Sequence, residues 1–574
     1  MRFQSILLFG AAVMVAGCAA VGQKTDDGVT PIAVAPVEPV RPEVARRADL
    51  MYELLVGEIA GKEGRIEEAT EHYLKASKLS NDPKIAARTA RIAAFSRDFE
   101  VALKAARRWV ALEPDSVEAN QVAGLLMVRD GRPEEAAHYL GKVIELGGKD
   151  KYELGFARIS LLMARQTVSE AELKTMALLR DRFPDVSHAH RSYAEVAYRA
   201  GKYEEALSEA QRALDLDPGD ESAKILKNRV LLAMGRVDEA LDGMRRLAAE
   251  SPDDAELAHG LARMLVQANR YEEAHEQYLR TQELQPGNFD VLYSLALLEV
   301  ELKRYDDAVK NLQKLAKSPT HADDAHYYLG RVEEERQHYD MAMSWYLRIK
   351  SGERYLDAQT RVATILAKLG KQQEAIAHLE QLRRATTDEA AVVRLDLAQG
   401  DIYRAAGDYQ QAYDFYSRAL EKRPNNIDLL YARAMTAEKL GHIEWLERDL
   451  KTIIKLEPDN ATALNALGYT LADHGKNLQE ALDFIKRALA LRPDDAAILD
   501  SMGWVNYRLG NLEEAEKYLS RALNKLEDPE IASHLAEVQF ERGKRDKAIE
   551  TVQKGLKVAP EDARLLQLKQ KIEP

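Results

Sequence analysis

Cysteine is almost absent from the 574 residues, since Cys18 is the only one. A single thiol cannot close an internal disulfide, and it has no second cysteine with which to bind a structural metal. Positive charge is also in short supply, because 81 lysines and arginines face 94 aspartates and glutamates, a formal net charge of −13. This balance argues against a nucleic-acid partner, whose phosphates require basic patches.

Several common catalytic and metal-binding motifs are absent as well. His275-Glu276 is not followed by the second histidine of a zinc protease, and Gly475-Lys476 lacks the remainder of a phosphate-binding loop. No Gly-x-Ser-x-Gly elbow is present. His188 and His190 form an isolated pair without further ligands at metal-binding spacing. We therefore expect a protein that is not an enzyme and that has no cofactor and no metal site.

The N-terminus contains an apolar run, Ile6 to Ala16, that is too short to span a bilayer as a stable helix. It follows Arg2 and leads into Val15-Ala16-Gly17-Cys18, which resembles the lipobox of bacterial lipoproteins. The resemblance implies a signal peptide at 1–17 and acyl chains on Cys18 that anchor the protein in a lipid bilayer. Ala19 after the cysteine implies the outer membrane, with the folded part facing the periplasm. The alternative is an incidental cysteine near an ordinary cleavage site.

A proline-rich segment, residues 18–43, follows the signal peptide, with prolines at 31, 36, 39 and 42. Such a composition favours an extended, unpacked chain that acts as a semi-rigid spacer. At about 3 Å per residue the segment could reach on the order of 75 Å. We expect this tether to hold the folded region away from the membrane.

A small residue returns about every 34 positions through the rest of the chain. A fixed period in this range indicates a fold built by stacking one supersecondary unit. Between Ala412 and Ala481, Leu446 occupies the position of the recurring small residue. The recurring residues are Ala69, Ala102, Ala136, Ala171, Ala206, Ala240, Ala274, Ala308, Ala342, Ala375, Ala412, Ala481, Ala515 and Ala548.

The segment Ala461 to Asp495 illustrates the unit. Its apolar residues recur at helical spacing on either side of a break at Asn477, and Pro493 ends the second stretch. The pattern predicts two antiparallel helices joined by a tight turn. The small residue lies where the helices cross, so a bulky replacement should cost roughly 1–3 kcal/mol as overpacking.

This unit resembles the tetratricopeptide repeat. Glycines stand at the eighth position of the first helix, large residues follow in the second helix, and a proline closes many units. The resemblance implies an all-α, right-handed α-solenoid of about 15 helix pairs over 44–562, with a capping helix at 563–574. The units at 151–186 and before Pro458 depart most from the pattern. The glycines are Gly124, Gly330, Gly400, Gly468 and Gly503, and the large residues include Tyr73, Tyr278, Tyr346 and Tyr416.

The same resemblance implies that the first helix of each unit lines a concave groove. Aromatic anchors flanked by polar groups are typical of protein-binding surfaces. The same aromatic side chains could instead fill gaps between successive units. The exposed first helix is a second candidate docking element. Projection onto the last units places in the groove Tyr431, Asn465, Tyr469, Asp473, Asp500, Trp504, Tyr507, Arg508 and Phe540.

The stretch from Ala496 to Ala548, the lipobox and the chain length together resemble outer-membrane lipoproteins of the LbcA type. This resemblance implies an adaptor that binds a periplasmic serine protease of the C-terminal processing family and its peptidoglycan hydrolase substrates. The alternative is a structural scaffold of an envelope export or assembly machine, such as polysaccharide secretion or a pilus. A third hypothesis is direct binding of glycan strands by the aromatic groove.

Overall fold

The computed structural model describes residues 41–95, 99–163 and 167–573. These residues form 31 α-helices and one short 3-10 helix, Lys149–Lys151, and no β-strand occurs among them. The predicted signal peptide, Cys18 and residues 18–40 of the predicted tether lie outside the described residues. The expectation of an all-α fold is confirmed.

The helices form two compact units, Met1–Ala240 and Leu241–Pro574, and the boundary falls within α12 (Val237–Glu250). The helices of the first unit are α1 (Pro42–Lys62), α2 (Ile66–Leu79), α3 (Pro83–Ala93), α4 (Phe99–Leu112), α5 (Val117–Arg129), α6 (Pro133–Leu146), α7 (Tyr152–Met163), α8 (Glu170–Arg182), α9 (Ser187–Arg199), α10 (Tyr203–Leu216) and α11 (Glu221–Ala233).

The second unit continues the series to the C-terminus. Its helices are α13 (Ala255–Gln267), α14 (Tyr271–Leu284), α15 (Phe289–Glu301), α16 (Tyr305–Leu315), α17 (Ala322–Glu335), α18 (Tyr339–Tyr346), α19 (Tyr355–Lys368), α20 (Gln372–Ala385), α21 (Glu389–Ala405), α22 (Tyr409–Lys422), α23 (Ile427–Lys439), α24 (Ile443–Leu456), α25 (Ala461–Asp473), α26 (Leu478–Leu491), α27 (Ala496–Arg508), α28 (Leu512–Lys525), α29 (Pro529–Glu541), α30 (Arg545–Val558) and α31 (Ala563–Ile572).

The first thirty described helices follow one another in fifteen pairs, and α31 stands alone at the end. Within each compact unit, pairs such as α1 with α2 and α25 with α26 pack as helical hairpins. Within each compact unit, successive hairpins also pack on one another, as α2 does on α3 and α26 on α27, and apolar residues fill the space between them. The predicted solenoid of about 15 helix pairs is therefore confirmed.

The recurring small residue lies where the two helices of a pair meet. A Cβ added at Gly468 would stand 2.5 Å from Ile485 Cγ1 and 2.9 Å from the Ala481 carbonyl oxygen. The facing helix leaves no room for a larger group. Leu446, the exception in the period, is also fully buried, and it belongs to an ordinary helix pair, α23 with α24. The small residues with at most 1% exposure are Ala69, Ala102, Ala136, Ala206, Ala240, Ala274, Ala308, Ala342, Ala375, Ala412, Ala481, Ala515 and Ala548.

The fourth pair, α7 with α8, is an exception. The prediction that Ala171 is its close-packed residue is wrong by one position. Ala171 is only half-buried, whereas Glu172 is 3% exposed and bonds to Arg199 Nη2 at 2.7 Å. Helix α8 packs mainly on α6 and α9. A charged side chain in the close-packed position requires a partner, and Arg199 on α9 supplies it.

Turns and caps repeat with the same period. An aspartate, asparagine or serine accepts a hydrogen bond from the first turn of most first helices, as Asp495 does from Ala497 and Ile498. The turn inside most hairpins places one residue at positive φ. That residue is usually glycine, but Lys303 adopts φ 57° at the same place.

Candidate protein-binding groove

A cavity of about 460 Å³ lies along the first helices of the last units. Helices α23, α25, α27 and α29 line it, and α25 and α29 each pack on α27 between them. Tyr431 and Tyr469 lie in its wall together with Met435. Asn465 and Asp500, which the sequence also places in the groove, line the same cavity.

A second cavity of about 670 Å³ continues from the first toward α21. The two share Tyr431, Met435, Thr462 and Arg492, so they form one elongated depression. We call this depression the acidic groove, since carboxylates outnumber its two cations, Arg404 and Arg492. Its acidic lining residues are Asp401, Asp428, Glu438, Glu457, Asp459, Asp495, Asp500, Asp528 and Glu530.

Tyr469 forms part of the acidic groove next to α29. Its hydroxyl donates to Glu530 Oε1 at 3.1 Å, and Arg564 Nη1 donates to the same oxygen at 2.8 Å. Burial and the nearby carboxylates raise the pKa of Tyr469 far above its ordinary value, so the hydroxyl keeps its proton. Burial opposes ionisation of Glu530, but the bond and charge of Arg564 lower the pKa of this carboxyl on balance. Glu530 therefore keeps its negative charge at neutral pH.

Trp504 stands beside the groove as part of its supporting wall. The residue is 8% exposed, and its indole N–H donates to Asp473 Oδ1 at 3.2 Å. Its ring packs against Tyr507, with centroids 5.0 Å apart, and the Tyr507 hydroxyl donates to Glu541 Oε1 at 2.8 Å. Trp504 thus fills a gap between units, whereas Tyr507 keeps part of its surface exposed.

The two remaining candidates lie nearby. Arg508 donates to the backbone carbonyl of Asp473, which ties α27 to the end of α25. Phe540 is half-buried in α29, and the Lys571 ammonium lies 5.6 Å from its ring centroid. Neither side chain lines the cavities of the acidic groove. Their role in binding stays a prediction.

His534 was not predicted from the sequence, and it connects Asp500 in the cavity with Trp504 beside it. The residue is 6% exposed, and its Nδ1 lies 3.0 Å from Asp500 Oδ1. In the two preceding units the corresponding positions hold Ala466 and Ser501. The repeat pattern therefore marks this position as a small contact residue. The neighbouring repeats have a small residue at this position, so the large ring of His534 was the signal that could have identified this residue.

The histidine pair on α9 has structural partners. His190 Nδ1 lies 2.6 Å from Glu209 Oε2, and its Nε2 lies 2.8 Å from the Pro184 carbonyl oxygen. His188 Nε2 lies 3.4 Å from Glu153. The two rings thus serve different contacts. Within residues 41–95, 99–163 and 167–573, no group of three or more histidine, cysteine or carboxylate side chains is placed to hold a metal ion.

Helix α1 presents an apolar stripe to solvent. Its other side packs on α2, where Gly57 meets the ring of Tyr73. None of the helices that the structure describes is both long enough and apolar enough to cross a membrane. Exposed apolar stripes of this kind are typical of surfaces that receive another chain. The stripe consists of Val44, Met51, Tyr52, Leu55 and Ile59, each more than half exposed.

Comparison with known proteins gives relatives along nearly the whole chain. The protein is 38% identical over 544 residues to a TPR repeat-containing protein of Pseudomonas aeruginosa, covering 93% of this chain and 90% of that protein. It is 29% identical over 175 residues to cellulose synthase operon protein C of Pseudomonas fluorescens, covering 29% of this chain and 14% of that protein.

Solved structures also match the chain. A thermophilic TPR protein of Thermus thermophilus matches at 28% identity with a TM-score of 0.29, covering 31% of this chain and 97% of that chain. The Cut9–Hcn1 hetero-tetramer of the APC/C matches at 16% identity with a TM-score of 0.34, covering 93% of this chain and 98% of that chain.

Family models agree with the helix pairs. One model described as tetratricopeptide repeat matches residues 88–152, 156–221, 293–355, 361–427 and 431–496. A second model with the same description matches residues 197–264, 231–298 and 474–533. The first model alone spans more than half of the chain. Repeats of this family are in general non-catalytic scaffolds for other proteins. Together with the paired helices, these matches show that the chain belongs to the tetratricopeptide repeat family.

Proposed function

We propose that this chain is a non-catalytic adaptor, anchored in the outer membrane through acylated Cys18. It brings a periplasmic serine protease of the C-terminal processing family together with peptidoglycan hydrolase substrates. The observation that carries the proposal is the acidic groove, a long depression lined by tyrosines and carboxylates. The lipobox and the resemblance to LbcA-type lipoproteins supply the compartment and the class of partners.

The groove suits an extended segment of a partner chain. Tyr431 and Tyr469 offer ring faces with hydroxyl groups, which is the side-chain chemistry of binding hot spots. The surrounding carboxylates favour a segment that carries lysine or arginine, and they repel an acidic one. Such a segment can lie along several first helices at once, which makes the contact area large.

An adaptor needs a second surface, and the apolar stripe on α1 provides one. A hydrophobic helix face docks into an apolar groove of a partner by side chains spaced three, four or seven residues apart. Val44, Met51 and Leu55 follow one another at spacings of seven and four. The stripe and the acidic groove lie in different compact units and differ in chemistry. They therefore suit two different partners, one of them the protease and the other its substrate.

The adaptor acts by raising effective concentration. When protease and substrate are held on one chain, their encounter becomes intramolecular, and avidity can rise by about 10²–10⁴ without any new contact. Lipid anchoring adds to this effect because it confines the adaptor to the membrane surface. No residue of the chain takes part in peptide-bond cleavage in this mechanism.

Affinity purification from cell envelopes tests the proposal. The tagged parent should recover a serine protease together with cell-wall hydrolases. Tyr431→Ala/Met435→Ala alters the acidic groove, and Met51→Glu/Leu55→Glu alters the stripe. Each variant should lose one class of partner and keep the other. Tyr271→Ala on α14, a half-exposed tyrosine outside the groove, is the matched control and should keep both.

The result that contradicts the proposal is equally specific. Recovery of a secretin, a synthase or a porin without protease would identify a scaffold of an export machine instead. That alternative is favoured by the partial likeness to cellulose synthase operon protein C. Unchanged recovery of every partner by both variants would exclude the groove and the stripe as binding surfaces.

A further inference from the structure

A separate cavity of about 600 Å³ lies between the second helices α20 and α22, with α21 as its floor. Its volume falls within the range of about 300–1,000 Å³ that is usual for ligand sites. The cavity has a cationic excess in a chain of net charge −13. Five basic residues line it against three acidic ones, namely Arg383, Arg384, Arg418, Lys422 and Arg423 against Glu380, Asp396 and Glu421.

This basic pocket is distinct from the acidic groove, although both use α21. The pocket is lined by Val392, Asp396, Gln399 and Tyr403, whereas Leu397, Asp401 and Arg404 of the same helix line the groove. At about 100° per residue, these two sets lie on different faces of one helix. The solenoid therefore offers two sites of opposite charge.

A buried carboxylate fixes part of the pocket. Asp396 is 2% exposed, and its two oxygens bind Arg383 Nη1 at 2.9 Å and Arg423 Nη1 at 3.3 Å. Arg423 is also held by Glu389, with 2.6 Å between its Nε and Glu389 Oε2. These ion pairs hold two guanidinium groups in fixed places at low cost in side-chain entropy. Arg384 pairs with Glu380 at 3.5 Å, so Arg418 and Lys422 are the two lining cations that no ion pair with a described residue neutralises.

Among the described residues, Arg418 lacks a bond that the corresponding arginines of several other units make, and Arg212 and Arg246 at the same position also lack it. The residue six places after the small alanine binds a backbone carbonyl of the preceding loop in several hairpins. Arg108 binds the Ser80 oxygen, Arg487 the Pro458 oxygen at 2.7 Å, and Arg280 the Pro252 oxygen. Arg418 makes no such bond and no ion pair with any described residue; it lies 5.9 Å from the Phe415 ring centroid.

Two further polar groups are available for a ligand. Gln399 is 2% exposed and lines the pocket, and no hydrogen bond joins its side chain to another described residue. Lys422 forms no ion pair within the described part of the chain. Phe415 and Tyr403, with ring centroids 6.0 Å apart, supply an apolar wall.

We propose that this basic pocket binds a carboxylate side chain of an acidic polypeptide segment. Arg418 and Lys422 would pair with the carboxylate, Gln399 would donate from its amide, and the Phe415 ring would pack on the adjoining methylene groups. The fork of a guanidinium matches a carboxylate in two parallel bonds. Since three carboxylates already line the pocket, a singly charged carboxylate fits it better than a doubly charged phosphate.

The experiment uses fluorescence anisotropy of the purified full chain with a rhodamine-labelled decapeptide of alternating glutamate and alanine. We expect saturable binding, and no binding of the glutamine–alanine counterpart. Arg418→Gln/Lys422→Gln should weaken binding by about tenfold or more, because two charge-assisted bonds are lost. The control Lys486→Gln/Arg487→Gln makes the same change of charge on α26 and should retain the parent affinity.

Three outcomes would overturn the proposal. The first is a pocket variant that binds the peptide as tightly as the parent does. The second is an equal loss of binding in the control, which would indicate only diffuse electrostatic attraction. The third is displacement of the peptide by inorganic phosphate at equal concentration, which would identify a general anion site. Circular dichroism of each variant establishes that its helices are intact. The result is independent of the partners recovered through the acidic groove or the α1 stripe.

Discussion

Trp504 lies flat against His534, with ring centroids 4.1 Å apart and ring planes inclined by 21°. The stack joins α27 to α29, and the indole bond to Asp473 extends the connection to α25. Stacking between aromatic rings adds about 0.5–1.5 kcal/mol beyond the burial of area. Trp504 therefore contributes to the stability of the units that it joins.

Replacement of Trp504 by alanine should destabilise the last units by about 3–5 kcal/mol, since a large buried ring is removed and a cavity remains. Urea unfolding followed by far-UV circular dichroism measures the loss. Trp504→Phe keeps part of the contact with His534 and should lose less. Equal stability of the alanine variant and the parent would contradict the conclusion that Trp504 fills a gap between units. For this reason Tyr431 and Met435 are better probes of binding.

Replacement of Gly468 by alanine should cost about 1–3 kcal/mol. The new Cβ would stand 2.9 Å from the carbonyl oxygen of Ala481, a backbone atom that cannot move without disturbing α26. Thermal or urea unfolding of the full chain provides the measurement.

Gly61→Ala is the matched control for that substitution. Gly61 also lies in a helix, but its added Cβ would meet only Ala69 Cβ, at 3.8 Å. Alanine has the higher helix propensity, so this variant should be neutral or stabilised by up to about 1 kcal/mol. If both glycine variants lose the same stability, close approach of the helices is not the reason for the recurring glycine.

Acidification should destabilise the second unit. Burial lowers the pKa of His259, His326 and His378 below the usual value of 6.5. Between 6.5 and these lower folded values, the unfolded chain binds protons that the folded chain does not. The free energy of unfolding therefore falls as the pH falls through this window. The midpoint of thermal unfolding at about pH 7.5 and pH 5.5 tests the direction.

The double variant His326→Gln/His378→Gln should show a smaller loss of stability on acidification. His326 Nδ1 and His378 Nε2 are buried without a hydrogen-bond partner among the described residues, which is consistent with neutral rings. His474→Gln replaces an exposed histidine and should follow the parent. The same pH dependence in all three proteins would assign the effect to other groups.

The period of the sequence predicts most of the fold because most hairpins contain their own small residue and their own turn. The spacing of small residues in the sequence already indicates that Ala481 faces Gly468 across the helix pair. The fourth pair was predicted less well, because Ala171 satisfies the spacing while Glu172 occupies the close-packed position. Only the position of Arg199 on the next helix explains how a carboxylate can be buried there.

The groove could be predicted in part. Tyr431 and Tyr469 follow from projection of one repeat onto the next, since their positions on the first helices determine their exposure. The same projection placed Trp504 in the groove, although the ring packs against His534. Which aromatic side chain faces solvent depends on the neighbouring unit, and a single-repeat pattern contains no information about such contacts.

The bond between Tyr469 and Glu530 spans 61 residues and passes over one whole hairpin, and Arg564 extends it to the terminal helix. Repeat arrays are ordinarily described by couplings between adjacent units alone. A link that skips a unit adds a next-nearest coupling between α25 and α29, worth about 1.5–3 kcal/mol for one hydrogen bond to a charged group. Under tension applied to the C-terminus, this coupling favours joint yielding of the last hairpins over their release one at a time.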